Sequence, residues 1–445
     1  MKKLYIFMLL VMAGIMSNAQ TSIWDGNRKL WTQGEGTENS PYLIESSENL
    51  AFLSYMVNKG FETQGLHFLL TTDIDLNGNK DLPWIPIGLG SDWFYEDNCP
   101  RKTPSYLISD INNSFRGHFD GGGHSIFNIY VDGSYVGGLF GTAGTGSLIE
   151  NISIESGYIH DAGYGGGIVG KCNSDVVISH CTNHADISGE YVGGIVGNGA
   201  TLVDKCVNTG LIKGSTAAGG IAGFLVSEIS ECYNTGRVIS YGNGGGIMGY
   251  TLKNITIVNC YNMGNVSGNA QYIGGIGGVV NKGLVKNCYS VGNVSNGQGM
   301  VAGIIASSFS GTADNIYYLN SCGGEGIGVS MTAEAMRDES FVNILNNDTD
   351  VWHYDINNAN DGYPILANSL STNEMAVSML CVYPNPAMGS FTVEGTGFLT
   401  ITNILGQTVT KQAIENRAVV SLSEGIDLLR LTNGTNAVTK KVIVY

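Results

Sequence analysis

Gly219-Gly-Ile-Ala-Gly223, Cys232-Tyr-Asn-Thr-Gly-Arg-Val238, Gly245-Gly-Ile-Met-Gly249, Cys260-Tyr-Asn-Met-Gly-Asn-Val266: residues 219–266 hold two cycles of one unit. The Gly-Gly-(Leu/Ile)-x-Gly motif starts at Gly137, Gly166, Gly193, Gly219, Gly245 and Gly274, with a worn copy at Ala302–Ala306, in steps of 29, 27, 26, 26, 29 and 28 residues. The Cys-x-Asn block recurs at Cys206 and, in near copies, at Cys181 and Cys288. A fixed period of this length means a repeat architecture. Several glycines per unit and no 3.6-residue apolar stripe exclude helical pairs, and scarce leucine excludes leucine-rich repeats. What remains is a coil of three short strands and three turns, stacked on its neighbours in parallel about 4.8 Å apart.

Period-2 alternation puts each Cys and the Asn two places on toward the core, with the residue between them outside. Cys181, Cys206, Cys232, Cys260 and Cys288 recur once per coil, and Ile152 and Ile316 occupy the same slot in the outer coils. Stacked cysteines are close enough to bridge. A slot that also accepts Ile is a packing slot, which predicts free core thiols. Asn183, Asn208, Asn234 and Asn262 are expected to form an inward amide ladder. Tyr233, Tyr261, Tyr289 and Tyr317 are expected to stack on the outer face, either as a ligand-binding ladder or as cross-strand packing. Tyr135, Tyr164, Tyr191 and Tyr272 form a second set. In the Gly-Gly-Ile-x-Gly strand, both the Ile row and the x row (Phe140, Val169, Val196, Ala222, Met248) are apolar. Alternation assigns one row to the core and leaves the other exposed as a docking face or covered by the N-terminal segment.

Glycine supplies 64 of the 445 residues and charged residues only 13%, while 43% are hydrophobic. Such a chain can bury surface and is not disordered by charge. The net charge of −16 excludes general nucleic-acid binding. Lys2, Lys3, the apolar run Leu4–Met16 and Ser17-Asn-Ala19 read as a signal peptide over 1–19. No stretch is long and apolar enough for a transmembrane segment.

The search for chemistry is mostly negative. No metalloprotease, serine-hydrolase or nucleotide-binding motif is present. Asp73, Asp75 and Asn77 match the first half of a calcium loop, but its twelfth position is Trp84 rather than Glu, so calcium is the one cofactor weighed. His118, Asp120, His124 and Arg116 bring base, acid and cation together, in a glycine-rich setting that reads as a tight turn. Asp348, Asp350, Asp355 and Asp361 read as a solvated face.

The Gly-Gly-(Leu/Ile)-x-Gly units and the segment ahead of them resemble the GLUG-repeat proteins of bacterial surfaces, and Phe119-Asp-Gly-Gly-Gly-His-Ser-Ile126 is similar to the opening coil of pectate-lyase-type solenoids. The resemblance spans residues 34–366 and implies a right-handed parallel β-helix, often in adhesin-like or protease-accessory positions. Val382-Tyr-Pro-Asn-Pro386, Phe391-Thr-Val393, Leu399–Gln407 and Lys440–Val444 resemble the C-terminal sorting domain of the type IX secretion system, a small β-sandwich recognised at the outer membrane. Gly425-Ile426 departs from that pattern, where an aromatic commonly follows the glycine.

The fold class expected is therefore all-β: a parallel β-helix followed by a small C-terminal β-sandwich. The expected domains are a signal peptide (1–19), a lead-in and cap region (20–134), the β-helix (135–320), its C-terminal cap (321–366, with Thr332 as a helix N-cap), a linker (367–379) and the sorting domain (380–445). The expected function is a secreted or cell-surface, adhesin-like protein that binds host protein or carbohydrate along its flank. A glycan-active enzyme on the same scaffold is the alternative, and a purely structural spacer the third reading. The secretion machinery is the expected partner.

Overall fold

The computed structural model describes residues 21–90, 93–96, 99–102, 113–307, 309–347, 349–356, 358–366, 381–383, 389–394, 397–403, 408–414, 417–422, 425–433 and 436–444. The expected signal peptide and linker lie outside the described residues.

Parallel pairing organises almost everything ahead of the C-terminal segment. Tyr42, Phe68, Phe119, Ile149, Ile178, Val203, Ile229, Ile257, Val285 and Ala313 form one file, each the parallel partner of the next. The result is a β-solenoid of about nine turns. The file starts at Tyr42, well upstream of the first Gly-Gly motif, so turns that lack the repeat signature share the same rod. Each central turn contains four or five short strands rather than the expected three. One turn, for example, runs Val196–Asn198, Thr201–Asp204, Val207–Asn208 and Ile212–Gly219. The last strand bends at a register slip, as between Ile159 and Ala162 and between Gly189 and Tyr191.

Inside, the amide ladder is continuous. Asn183 Nδ2 donates to Asn208 Oδ1, Asn208 to Asn234 and Asn234 to Asn262, each at 2.8 Å, and Asn262 ends the series on Ser290 Oγ at 3.3 Å. The same nitrogens also donate to Ala185, Gly210, Gly236 and Gly264 carbonyls, so both amide protons are used. This ladder explains the second glycine of each pair. A Cβ on Gly167, Gly194, Gly220 or Gly246 would lie 2.2–2.4 Å from the Asn side chain across the core. Close approach, not a positive φ, is what these positions demand.

The outer and inner rows of the Gly-Gly-Ile-x-Gly strand correct the sequence expectation. Ile168, Ile195, Ile221 and Ile247 are fully buried, and so are Phe140, Val169, Val196, Ala222 and Met248. A corner between the two residues breaks the alternation. The N–H groups of Ile168 and Val169 both donate to the Ile195 carbonyl, so both side chains turn into one core. No second segment is needed to cover either row.

Positive φ is concentrated at a different corner, where Asn151, His180, Lys205, Glu231, Asn259, Asn287 and Asn315 all lie between 48° and 56°. Asn tolerates this conformation because its short side chain bonds locally. Asn315 and Asn287 extend the pattern by donating to Asn287 and Asn259 at 2.7 and 3.1 Å.

Helices cover the rod at its N-terminal end and along one flank near its C-terminal end. The helix Ser47–Asn58, N-capped by Ser46, buries Leu50, Leu53 and Val57 with Trp24, Trp31 and Phe68. Asn58 ties it to the chain by accepting from Gly88 and Leu89 N–H. At the other end, Thr332 caps the helix Ala333–Met336 as expected, and a second helix, Glu339–Leu345, follows with Asp338 as its cap. The C-terminal segment has a three-stranded and a four-stranded antiparallel sheet sharing one core, Phe391, Val393 and Val420 against Leu399, Ile401, Ile414, Leu429 and Val444.

Replacing Asn234 with Ala strands the Asn208 N–H and the Asn262 Oδ1 inside the core, which should cost at least about 2 kcal/mol. Cys232→Val keeps the slot filled and should cost under about 1.5 kcal/mol. Urea unfolding followed by tryptophan fluorescence should rank Asn234→Ala as the more damaging; the reverse order would remove the ladder from its specifying role.

Candidate functional site

The five repeat cysteines are buried and unbridged, as are Cys172 and Cys322. The thiols of Cys181, Cys206, Cys232, Cys260 and Cys288 donate to the carbonyls two residues back, at 3.1–3.2 Å. Burial pushes the Cys172 thiol up to about 12 and raises those of Cys181, Cys206, Cys232 and Cys260. A thiol held protonated in an apolar core is a poor nucleophile.

The tyrosine ladder stacks, but it is not an open surface. Tyr233 and Tyr261 stack with their planes nearly parallel and their centres 4.7 Å apart, and Tyr261 and Tyr289 stack at 5.1 Å. Phe341, Leu345 and Trp352 of the C-terminal cap fold over them, leaving Tyr261 and Tyr289 essentially without exposure. Tyr289 Oη donates to the Pro364 carbonyl and accepts from Asn360 Nδ2 at 3.0 Å. Tyr317 packs edge-on against Phe341 at 5.1 Å. These four rings therefore lie on the rod's outer face as the seat of the cap rather than as an open ladder. Asp355, expected on a solvated face, is also buried: it accepts from Ala359, Asn360 and Gly362 N–H and shapes the loop beneath Tyr363.

The calcium residues do not converge. Asp73 accepts from His124 and the Ser125 N–H, both at 3.0 Å. Asp75 accepts from the Asn77 N–H and from Asn128 Nδ2, and Asn77 Nδ2 reaches the Trp24 carbonyl. Among the described residues, no group of three His, Cys, Asp or Glu is placed to hold a metal ion. The His118 region disperses in the same way. His118 contacts His67 at 3.1 Å and Glu150 at 2.7 Å, Asp120 takes the Gly122 N–H and Asn151, and Arg116 pairs with Glu62. Among the described residues, two carboxylates meet on one cation at Lys205, 3.4 Å from Asp204 and 3.9 Å from Glu231. Burial raises the Glu231 carboxyl, an effect opposed by Lys205.

The remaining flank is different. Tyr135, Tyr164, Tyr191, Phe224 and Tyr250 form a second ladder with centroids 4.8–5.5 Å apart, and none of the five is buried. Tyr272 of the sequence set does not continue it, because Ala217 and Asn243 stand between Tyr191 and Tyr272 in register. Phe224 and Tyr250, from the adjoining strand, take over the stack; the sequence signal for them was their equal spacing from Gly219 and Gly245. Burial, then the nearby Glu190 carboxylate, raises the Tyr191 phenol. Beside Tyr164 and Tyr191 runs an open groove of about 400 Å³, lined by Gly163, Ser188, Glu190, Lys213, Ser215 and Tyr241.

Residues 381–445 match the family described as the secretion system C-terminal sorting domain. The tail is a type IX sorting domain. It marks the chain as exported, either secreted or attached at the cell surface. Among the described residues, no helix is long and apolar enough to cross a membrane. A "Putative Gly-rich membrane protein" of Evansella cellulosilytica is 32% identical over 144 residues, 31% of this chain and 14% of that protein. "Halomucin" of Haloquadratum walsbyi is 28% identical over 167 residues, 37% of this chain and 2% of its own length. The chain thus spans only a small part of these curated relatives. The solved structure of an "IgA1 Protease" aligns with 64% of this chain and 22% of its own, at 16% identity and a TM-score of 0.32.

Two outcomes are expected here. A maleimide reagent should leave Cys172, Cys181, Cys206, Cys232, Cys260, Cys288 and Cys322 unmodified in the folded protein and label them after denaturation; labelling of any of the seven without unfolding would contradict their burial. Glu231→Asn should raise the free energy of urea unfolding at pH 7 by about 1 kcal/mol from the left-handed backbone alone. Because burial raises the folded Glu231 carboxyl, its ionised form disfavours folding above that pKa, so the gain should shrink as acid protonates the wild-type group.

Proposed function

We propose that this chain is an adhesin-like surface solenoid, exported through an N-terminal signal and its type IX tail, that binds host protein or glycan along the flank. On this reading the repeat belongs with GLUG-type surface proteins, and the tail delivers the rod to the outer membrane. The observation that carries the proposal is the open aromatic ladder from Tyr135 to Tyr250 beside a continuous groove. Stacked rings turn apolar edges and phenol oxygens outward together, a surface suited to partners with mixed character. By contrast, His118 is paired with Glu150, His124 with Asp73 and His184 with Glu155.

The alternative, a glycan-active enzyme, draws its support from Asp204 and Glu231, two carboxylates in different settings around Lys205. The full-length protein, tested on a glycan array, a host extracellular-protein array and a polysaccharide panel with reducing-end detection, separates these readings. Binding without turnover, weakened by Tyr191→Ala, is expected. Turnover abolished by Glu231→Gln would replace the adhesin reading with the enzymatic one, and neither binding nor turnover would leave a structural spacer.

A further inference from the structure

We propose that the groove from Gly163 to Tyr241 binds an uncharged polysaccharide chain lying parallel to the solenoid axis. The inference rests on the flank-binding reading and names the ligand class. Ala162, Gly189, Gly214 and Ser240 are register partners in four successive turns, so the groove crosses turns rather than following one. The slips in register at this line, between Ile159 and Ala162 and between Gly189 and Tyr191, bend the strands and open the concavity. Its floor is small by necessity. A Cβ on Gly189 would lie 2.1 Å from the Ala162 carbonyl oxygen, one on Gly214 2.4 Å from that of Ala217, and one on Gly163 2.8 Å from the Tyr135 ring.

The lining selects the ligand. Ser188, Glu190, Lys213 and Ser215 supply hydroxyl, carboxylate and ammonium groups within one volume of about 400 Å³, and Tyr241 closes the end with 53% of its surface exposed. Lys213 Nζ lies over the Tyr241 ring, 5.9 Å from its centre, which places a donor above that platform. A few polar groups with one aromatic platform recognise a ring that has hydroxyls at its edge and C–H bonds on its face. A polyanion would meet Glu190 and a chain of net charge −16. A peptide strand finds no edge to join, because the strands along this line are paired to the turns before and after them. A polymer of repeating units meets successive turns about 4.8 Å apart, a periodicity that a folded protein surface lacks.

Affinity electrophoresis of the full-length protein through gels containing a soluble neutral β-glucan, a neutral mannan or anionic alginate tests the proposal. Retardation by a neutral polymer is expected. It should fall tenfold or more in Tyr241→Ala and in Ser215→Trp, which fills the groove from an exposed position, with thermal unfolding unchanged. Retardation that survives both substitutions would place binding elsewhere on the flank, overturning the groove but sparing the flank reading. Preference for alginate, or no retardation by any polymer, would overturn the neutral-glycan assignment, while the host-protein array still decides the flank reading separately.

Discussion

The buried amide ladder from Asn183 to Ser290 is the constraint on which the rest of the rod depends. Each side chain must meet its copy in the next turn within hydrogen-bonding distance, so the register between turns cannot slip by one residue without orphaning a core donor. The ladder also occupies volume that only glycine leaves free on the opposite wall, which couples the Asn of the Cys block to the second glycine of the Gly-Gly pair. The two halves of the repeat are thus one device. Around it, Ile, Val and Cys fill the core in files, and the turns inherit one shape.

What could be read from residues alone follows from this coupling. The period, the parallel stacking, and the inward placement of Cys181 and Asn183 are properties of a local pattern repeated many times, and local alternation decides them. The fate of Tyr261 and Tyr289 is not local. It depends on Phe341 and Trp352, more than fifty residues downstream, arriving over the same face. The expectation that only one of the Ile and x rows faces the core failed because alternation holds within a strand and breaks at a corner, and nothing in Gly-Gly-Ile-Val-Gly marks where the corner falls. The second aromatic ladder was half legible: Tyr135, Tyr164 and Tyr191 share a slot, whereas Phe224 and Tyr250 join from a neighbouring strand that only the folded turn brings alongside.

The division of labour between the faces is physically economical. One outer face carries the His118–Glu150 pair, and His124 meets Asp73 at the corner beside it, contacts that stitch adjacent turns together. A second is roofed by the C-terminal cap. The third keeps its rings and its groove open. A solenoid core packed this tightly leaves no room for a ligand, so a binding function needs an outer face such as the aromatic flank.

The stack of left-handed corners from Asn151 to Asn315 shows that successive turns solve the same backbone problem in the same place. A turn is therefore close to an interchangeable part. Duplication or loss of one whole unit between Gly166 and Gly219, ahead of the tyrosines that seat the cap, would keep the corner conformation and lengthen or shorten the rod by a single step. Variation in reach, rather than in shape, is the change this architecture accepts most readily.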